Sequence, residues 1–88
     1  MKIVFSDNGW DDYQHWLEQN PKILVRLNSL IKECCRTPFK GTGKPEPLKG
    51  SLKGWWSRRI TQEDRLVYRV TGKGDDRQLE IAQCRYHY

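Results

Sequence analysis

Three groups of residues in this chain could do acid–base chemistry on a polyanion. The first is Lys44-Pro45-Glu46-Pro47-Leu48-Lys49, a carboxylate between two prolines with a lysine on each flank. Each proline holds φ near −65° and biases the residue before it toward extended geometry, so Glu46 is expected on stiff backbone for a loop. The second is Arg65, and the third is the tail Arg85-Tyr86-His87-Tyr88. RNA carries its own nucleophile, the 2′-hydroxyl. Scission of the strand needs a base for that hydroxyl, an acid for the departing 5′-oxygen and cations for the crowded phosphate oxygens. Glu46, His87 and Arg65 are the matching residue types. Positioned acid–base groups contribute about 10²–10⁴ each in rate, and a preorganised cationic clamp about 10²–10³. Arginine suits phosphate because its planar fork donates two parallel hydrogen bonds.

Each of these residues also has a plainer reading. Glu46 reads as a solvated loop acid. Arg65 follows Glu63-Asp64 and reads as half of a hairpin salt bridge contributing at most about 1 kcal/mol. His87 and Tyr88 read as a frayed terminus.

Charge distribution bears on the choice. The chain has 88 residues and a net charge of +5. Between Arg36 and Gln62 the basic residues are Arg36, Lys40, Lys44, Lys49, Lys53, Arg58 and Arg59, and the one acid is Glu46. That window carries +6 and leaves the remainder near neutrality. A concentrated basic region is the electrostatic footprint of nucleic-acid binding, and equally of a solvated basic face or a dock for an acidic protein. Within it, Lys44, Lys49, Arg58 and Arg59 are the candidate RNA-contacting cations.

The elements that must position these groups follow from hydrophobic periodicity. Lys2 to Phe5 reads as a short strand. Ser6-Asp7-Asn8 offers capping oxygens, and Trp10, Tyr13, Trp16 and Leu17 recur at helical spacing, giving a helix from Asp7 to Gln19. Asn20-Pro21 restarts the chain as a cap followed by proline at the first helical position. Ile23, Leu24, Leu27, Leu30, Ile31 and Cys34 then form an apolar stripe ending near Cys35. Thr37 to Lys53 is a long loop, with three of the four prolines and little periodicity. From Gly54 the period changes to two, and Trp55–Ile60, Arg65–Thr71 and Leu79–Tyr86 read as three strands.

The expected architecture is therefore one α+β domain over residues 1–88, in the order β-α-α-β-β-β, with a two-helix hairpin on one face of an antiparallel sheet. Leu66, Tyr68 and Val70 should point to the helices and Arg65 and Arg69 to the open face. Trp55 and Trp56, being adjacent, should take opposite faces.

Several function classes are excluded or disfavoured. Cys34, Cys35 and Cys84 are odd in number and include no Cys-x-x-Cys, so neither a disulfide framework nor a zinc site is expected, and reduced thiols fit a cytoplasmic protein. Met1-Lys2 leads into a short apolar strand rather than a leader-like hydrophobic stretch, and no segment approaches membrane-spanning length. Asp11-Asp12 and Asp75-Asp76 lack metal-site spacing. Gly41-Thr42-Gly43-Lys44 lacks the flanking strand and helix of a phosphate loop. No cofactor and no metal is expected.

Taken in order, Trp10-Asp11-Asp12-Tyr13, Arg36-Thr37-Pro38-Phe39, Gly43-Lys44-Pro45-Glu46-Pro47-Leu48-Lys49, Trp56-Ser57-Arg58-Arg59-Ile60-Thr61, Arg65-Leu66-Val67-Tyr68 and Cys84-Arg85-Tyr86-His87-Tyr88 resemble the YoeB-type toxins of the RelE/ParE superfamily, over the whole chain. The resemblance implies a ribosome-dependent endoribonuclease that cleaves mRNA in the decoding site. It implies a YefM-type antitoxin as partner, with operator DNA reached through the toxin–antitoxin complex. The family's general base falls on Glu46, its transition-state arginine on Arg65, and its acid and substrate-positioning pair on His87 and Tyr88. Its RNA- or ribosome-binding cations fall on Lys49 and Arg59. Family toxins include dimers, so a homodimer is a further expectation, and no membrane is involved. The same superfamily contains gyrase poisons that act by binding, but these lack the Glu, Arg and terminal His-Tyr set. A basic RNA-binding module without catalysis is the other alternative.

Two departures stand out. Many members carry His before the matched arginine, where this chain has Asp64; an acid there would either compete for the charge of Arg65 or sit in the turn facing solvent. The Thr71–Gln78 hairpin is also longer than is common.

Overall fold

The computed structural model describes residues 1–87. Strand β1 (Lys2–Phe5) runs into helix α1 (Asp7–Gln19), and α2 (Pro21–Cys34) follows at once. Ser6 caps α1, its hydroxyl accepting from the Gly9 N–H at 2.9 Å and donating to the Ala82 carbonyl at 2.7 Å. Asn20 closes one helix with its N–H and opens the next with its side chain, which accepts from Ile23. This double use of Asn20, with Pro21 preset for the first turn, lets the hairpin form with no spacer.

Four further strands complete the sheet: β2 (Glu46–Pro47), β3 (Trp56–Arg59), β4 (Arg65–Thr71) and β5 (Gln78–Gln83). The spatial order is β1-β5-β4-β3-β2. Strands β3 to β5 pair antiparallel as expected, β2 adds antiparallel to β3, and β1 joins β5 in parallel, so the sheet is mixed. The helix hairpin supplies the crossover that a parallel neighbour requires. The extra strand β2 lies inside the segment read as loop. Its two residues carry no periodicity to detect, and Pro47 is tolerated because β2 is an edge. Strand β5 also stops at Gln83 rather than Tyr86.

The core lies between sheet and helices. Trp16, Leu27, Leu30, Ile31 and Cys34 meet Ile60, Leu66, Tyr68, Leu79, Ile81 and Cys84. Leu66 and Tyr68 are fully buried there, and Val70 packs against them. Trp56 turns to the same side and meets Phe39 at 4.8 Å, while the Trp55 ring lies under the Arg69 guanidinium at 4.3 Å. Gly9 is dictated by contact, since a Cβ there would come within 2.7 Å of the Ile81 carbonyl. No helix is long and apolar enough to cross a membrane among the described residues.

Candidate functional site

Register, which periodicity cannot supply, decides which side chains meet. Glu46 pairs with Ser57, Ser57 with Val67, and Val67 with Gln83, so one row crosses four strands. Directly paired residues project to the same face, and this row faces away from the helices because its offset neighbours Trp56, Leu66 and Tyr68 face them. Arg59 pairs with Arg65 in the next row on that same face. Glu46 and Arg65 thus share the open face two strands apart, with Cα atoms roughly 12 Å from each other by strand spacing and rise.

Arg59 and Arg65 are cross-strand partners of like charge, an arrangement that is unfavourable by roughly 0.2–1 kcal/mol unless an anion lies over it. Arg59 is exposed and Arg65 buried. The Arg65 Nη1 donates to the carbonyls of Thr61, Gln62 and Asp64 at 2.9 to 3.1 Å. Neither Asp64 nor Glu63 forms an ion pair with it among the described residues, where the ion pairs are Arg58–Glu33 and Arg69–Glu80. The salt-bridge reading of Arg65 is thereby replaced: neutral carbonyls orient the guanidinium without cancelling its charge.

Glu46 is exposed on β2. The loop before it is held under tension. Lys44 has φ 52°, a left-handed conformation that costs a non-glycine residue about 1–2 kcal/mol. The extended geometry expected before Pro45 is therefore absent at Lys44. Gly43 precedes it at φ 86°, its carbonyl accepting from the Arg59 N–H at 2.7 Å. Lys44 and Lys49 are both exposed, as expected of RNA-contacting cations.

Arg58, expected among those RNA-contacting cations, is instead fully buried on the helix side, opposite Leu66, and is not one of them. Its guanidinium makes five hydrogen bonds: to the Tyr68 hydroxyl, to Glu33, and to the carbonyls of Thr42, Thr37 and Lys40. Desolvation works against its charge, yet the Tyr68 hydrogen bond and the Glu33 carboxylate outweigh it and hold its pKa above the ordinary arginine value. The Tyr68 hydroxyl donates to the Pro38 carbonyl at 2.6 Å, and burial pushes its pKa up to about 12. Arg58 cannot reach a phosphate. It knots the 37–44 loop onto the sheet and so braces the approach to Glu46.

The tail beyond β5 is held by other elements. Asp12 and Trp16, one turn apart on α1, grip both backbone groups of Cys84: the carboxylate accepts its N–H at 3.0 Å and the indole donates to its carbonyl at 2.7 Å. Burial raises the Asp12 pKa, opposed by the Cys84 hydrogen bond. Further on, the Tyr86 N–H donates to Asp64 at 2.7 Å, and the Tyr86 carbonyl accepts from the Arg65 N–H at 3.0 Å. Tyr86 therefore lies beside Arg65 at the start of β4, and His87 follows directly. The chain is thus anchored as far as Tyr86, the residue directly before the pair read as a frayed terminus. Tyr88 lies outside the described residues. Glu46, Ser57 and His87 each take part in an interaction of their own. Ser57, buried opposite Glu46 on the open face, was not singled out from sequence; a serine in a basic strand carries no signal until register places it.

Comparison with known proteins shows the family and agrees with the fold. A family model described as the YoeB-like toxin of bacterial type II toxin–antitoxin systems matches residues 5–88. Toxin YoeB of Escherichia coli (strain K12) is 57% identical over 88 residues, covering 100% of both chains. A YoeB/ParE toxin from Agrobacterium tumefaciens superposes with a TM-score of 0.97 at 52% identity, again over 100% of each chain. A YoeB–YefM complex and a YoeB dimer, both from Staphylococcus aureus, match with TM-scores of 0.87 and 0.86 at 43% and 40% identity, covering 100% of this chain and 98% of each of those.

Proposed function

Because the chain belongs to the YoeB-like toxin family of bacterial type II toxin–antitoxin systems, we propose that it is a ribosome-dependent endoribonuclease acting on mRNA in the decoding site. Glu46 takes the proton of the 2′-hydroxyl, whose oxygen attacks the adjacent phosphorus. The P–O5′ bond breaks and His87 protonates the departing oxygen. Arg65 stabilises the phosphate oxygens while their charge is greatest, and Tyr88 positions the substrate. The first products are a 2′,3′-cyclic phosphate and a free 5′-hydroxyl. Every proton in the scheme is carried by a side chain, and no cofactor or metal is called on. Lys44, Lys49 and Arg59 contact RNA or the ribosome, where counterion release drives binding; Arg58 has no such part.

The observation that carries this reading is the placement of Glu46, Arg59 and Arg65 on one open sheet face, with the two arginines paired across strands. A base and a cationic pair with no ion-pair partner among the described residues suit attack by an internal hydroxyl. The YoeB–YefM complex and the YoeB dimer of Staphylococcus aureus support a YefM-type antitoxin as partner and a homodimer as one free state; neutralisation by that antitoxin and operator DNA bound through the complex belong to the same proposal. The site of action is the cytoplasm, where translating ribosomes are.

The test is cleavage of a defined mRNA on programmed 70S ribosomes, with both new ends mapped. Cuts inside the decoding-site codon, slowed about 10²–10⁴-fold but still measurable in single turnover with Glu46→Ala and with His87→Ala, are the expected result. A folded wild-type protein that makes no cut would sink the nuclease reading and turn attention to a poison that acts by binding. Undiminished cleavage by Glu46→Ala would remove Glu46 as the base.

A further inference from the structure

The acid of the proposed reaction stands beyond the last strand, where the sheet no longer dictates its position. Strand β5 ends at Gln83, and the Cys84 anchor lies three residues before His87. What fixes the intervening chain is Tyr86, both of whose backbone groups are engaged. Its φ is 65°, in the left-handed region, which a tyrosine adopts at a cost of about 1–2 kcal/mol. A tail without a tether would relax out of that conformation, and His87 would swing with it.

The tether is Asp64. Its two carboxylate oxygens have separate tasks: Oδ2 accepts from the Thr61 hydroxyl at 2.7 Å, and Oδ1 accepts from the Tyr86 N–H at 2.7 Å. The Thr61 Oγ1 in turn accepts from the N–H groups of Glu63 and Asp64, so the carboxylate is locked in place by its own turn. The Tyr86 carbonyl, bonded to the Arg65 N–H, sets the plane of the peptide that leads into His87. The same turn holds the Arg65 guanidinium through the carbonyls of Thr61, Gln62 and Asp64. One four-residue turn therefore carries both the phosphate-binding group and the tail that bears the acid.

We infer that Asp64 is a positioning residue for His87, acting through the Tyr86 backbone amide. Both Asp64 carboxylate oxygens are taken up by the protein itself. The residue is acidic because a carboxylate makes a short, charge-assisted bond to an N–H, and it keeps the spacing between Arg65 and His87 constant. Of the two alternatives that the sequence left for this acid, competition for Arg65 and exposure to solvent, neither describes it. The catalytic consequence rests on the nuclease reading above; the tether itself does not.

The experiment is single-turnover cleavage on programmed 70S ribosomes with Asp64→Ala and Asp64→Asn, each made in wild-type and His87→Ala backgrounds, alongside amide hydrogen exchange at Tyr86. Asp64→Ala is expected to slow cleavage about tenfold to a hundredfold, as a misplaced catalytic group does, while ribosome binding stays within about twofold. Asp64→Asn keeps an acceptor oxygen and is expected to recover most of the rate. In the His87→Ala background Asp64→Ala should cost nothing further, because residues acting through one group are not additive. The Tyr86 amide should be protected in wild type and exchange freely in Asp64→Ala. An equal loss with and without His87 would overturn the inference and assign the effect to Arg65, and full-speed cleavage by Asp64→Ala would overturn it outright. A wild-type protein that makes no cuts overturns the nuclease reading and the catalytic half of this inference together. In that event the Tyr86 amide alone upholds the tether, or removes it.

Discussion

Arg58 and Arg65 stand seven residues apart on adjacent strands, and the sheet separates them into opposite uses of the same side chain. Arg58 faces the helices and is fully buried, with a carboxylate 2.6 Å away and five hydrogen bonds on its guanidinium. Arg65 faces away from them, and its Nη1 alone is bonded among the described residues, to three neutral carbonyls. The first arginine has its charge consumed inside the protein, where it organises a loop. The second is oriented by groups that leave its charge intact, and Arg59 lies beside it. A buried ion needs full pairing to be tolerated, whereas an ion that must meet a substrate needs orientation without a counter-charge. The difference between the two is the difference between a brace and a binding group.

Removing Arg58 tests the brace most severely. Arg58→Ala leaves the Glu33 carboxylate and several loop carbonyls without their partner and is expected to cost about 3–5 kcal/mol of stability, read as a fall in denaturation midpoint. Arg65→Ala is expected to do the reverse, losing about 10²–10³ in cleavage rate for only about 1–2 kcal/mol of stability. If Arg58→Ala were as stable as wild type, or Arg65→Ala the less stable of the two, the contrast would collapse.

Tyr68→Phe sharpens it. The hydroxyl that accepts from Arg58 and donates to Pro38 is lost, and about 1–3 kcal/mol should go with it, with little change in cleavage.

The same region sets the alkaline limit. Burial pushes the Cys34 thiol up to about 11, and those of Cys84 and the Tyr68 phenol up to about 12, from ordinary values of 9.0 for the thiols and 10.0 for the phenol. Folded values above unfolded ones mean that these groups contribute their full stability below about pH 9 and lose it as pH rises toward about 12. Melting temperature measured against pH should be level on the neutral side and fall across that window, and a curve that stays level to pH 12 would contradict the burial assigned to all three groups.

The smallest effect belongs to the half-exposed pair on the open face. Glu80 bonds Thr71 and Arg69, which holds its pKa below the usual carboxylate range. Its contribution is present above that range and lost on acidification. Glu80→Gln should cost at most about 1 kcal/mol, and a larger loss in a melt would mean that the open face is more than a display surface.

Much of this was legible beforehand, for identifiable reasons. Asp7–Gln19 and Arg65–Thr71 were readable to the residue, because Ser6 and Asn20 mark the helix ends and because the alternation Leu66, Tyr68, Val70 has the period of a strand. The two-residue strand at Glu46–Pro47 was not readable, since two residues have no period. Nor was the parallel seat of β1, since a strand's own pattern does not name its neighbour. Arg58 misled for a related reason. Its membership of a basic run was visible, but in an alternating strand Ser57 and Arg59 face one way and Arg58 the other, and nothing local says which side is covered.

The sequence by itself determined the two helices and the longer strands, the apolar stripe of each helix, the surplus of positive charge and the residue types available for chemistry, because these depend on neighbours a few positions apart. Tertiary structure alone decided that Glu46 shares a face with Arg65, that Arg58 is buried and that Asp64 holds the chain before His87. Arg58 and Glu33 are 25 positions apart and Asp64 and Tyr86 22, and such contacts are set by strand register and helix packing over the whole chain rather than by any local preference of the residues that make them.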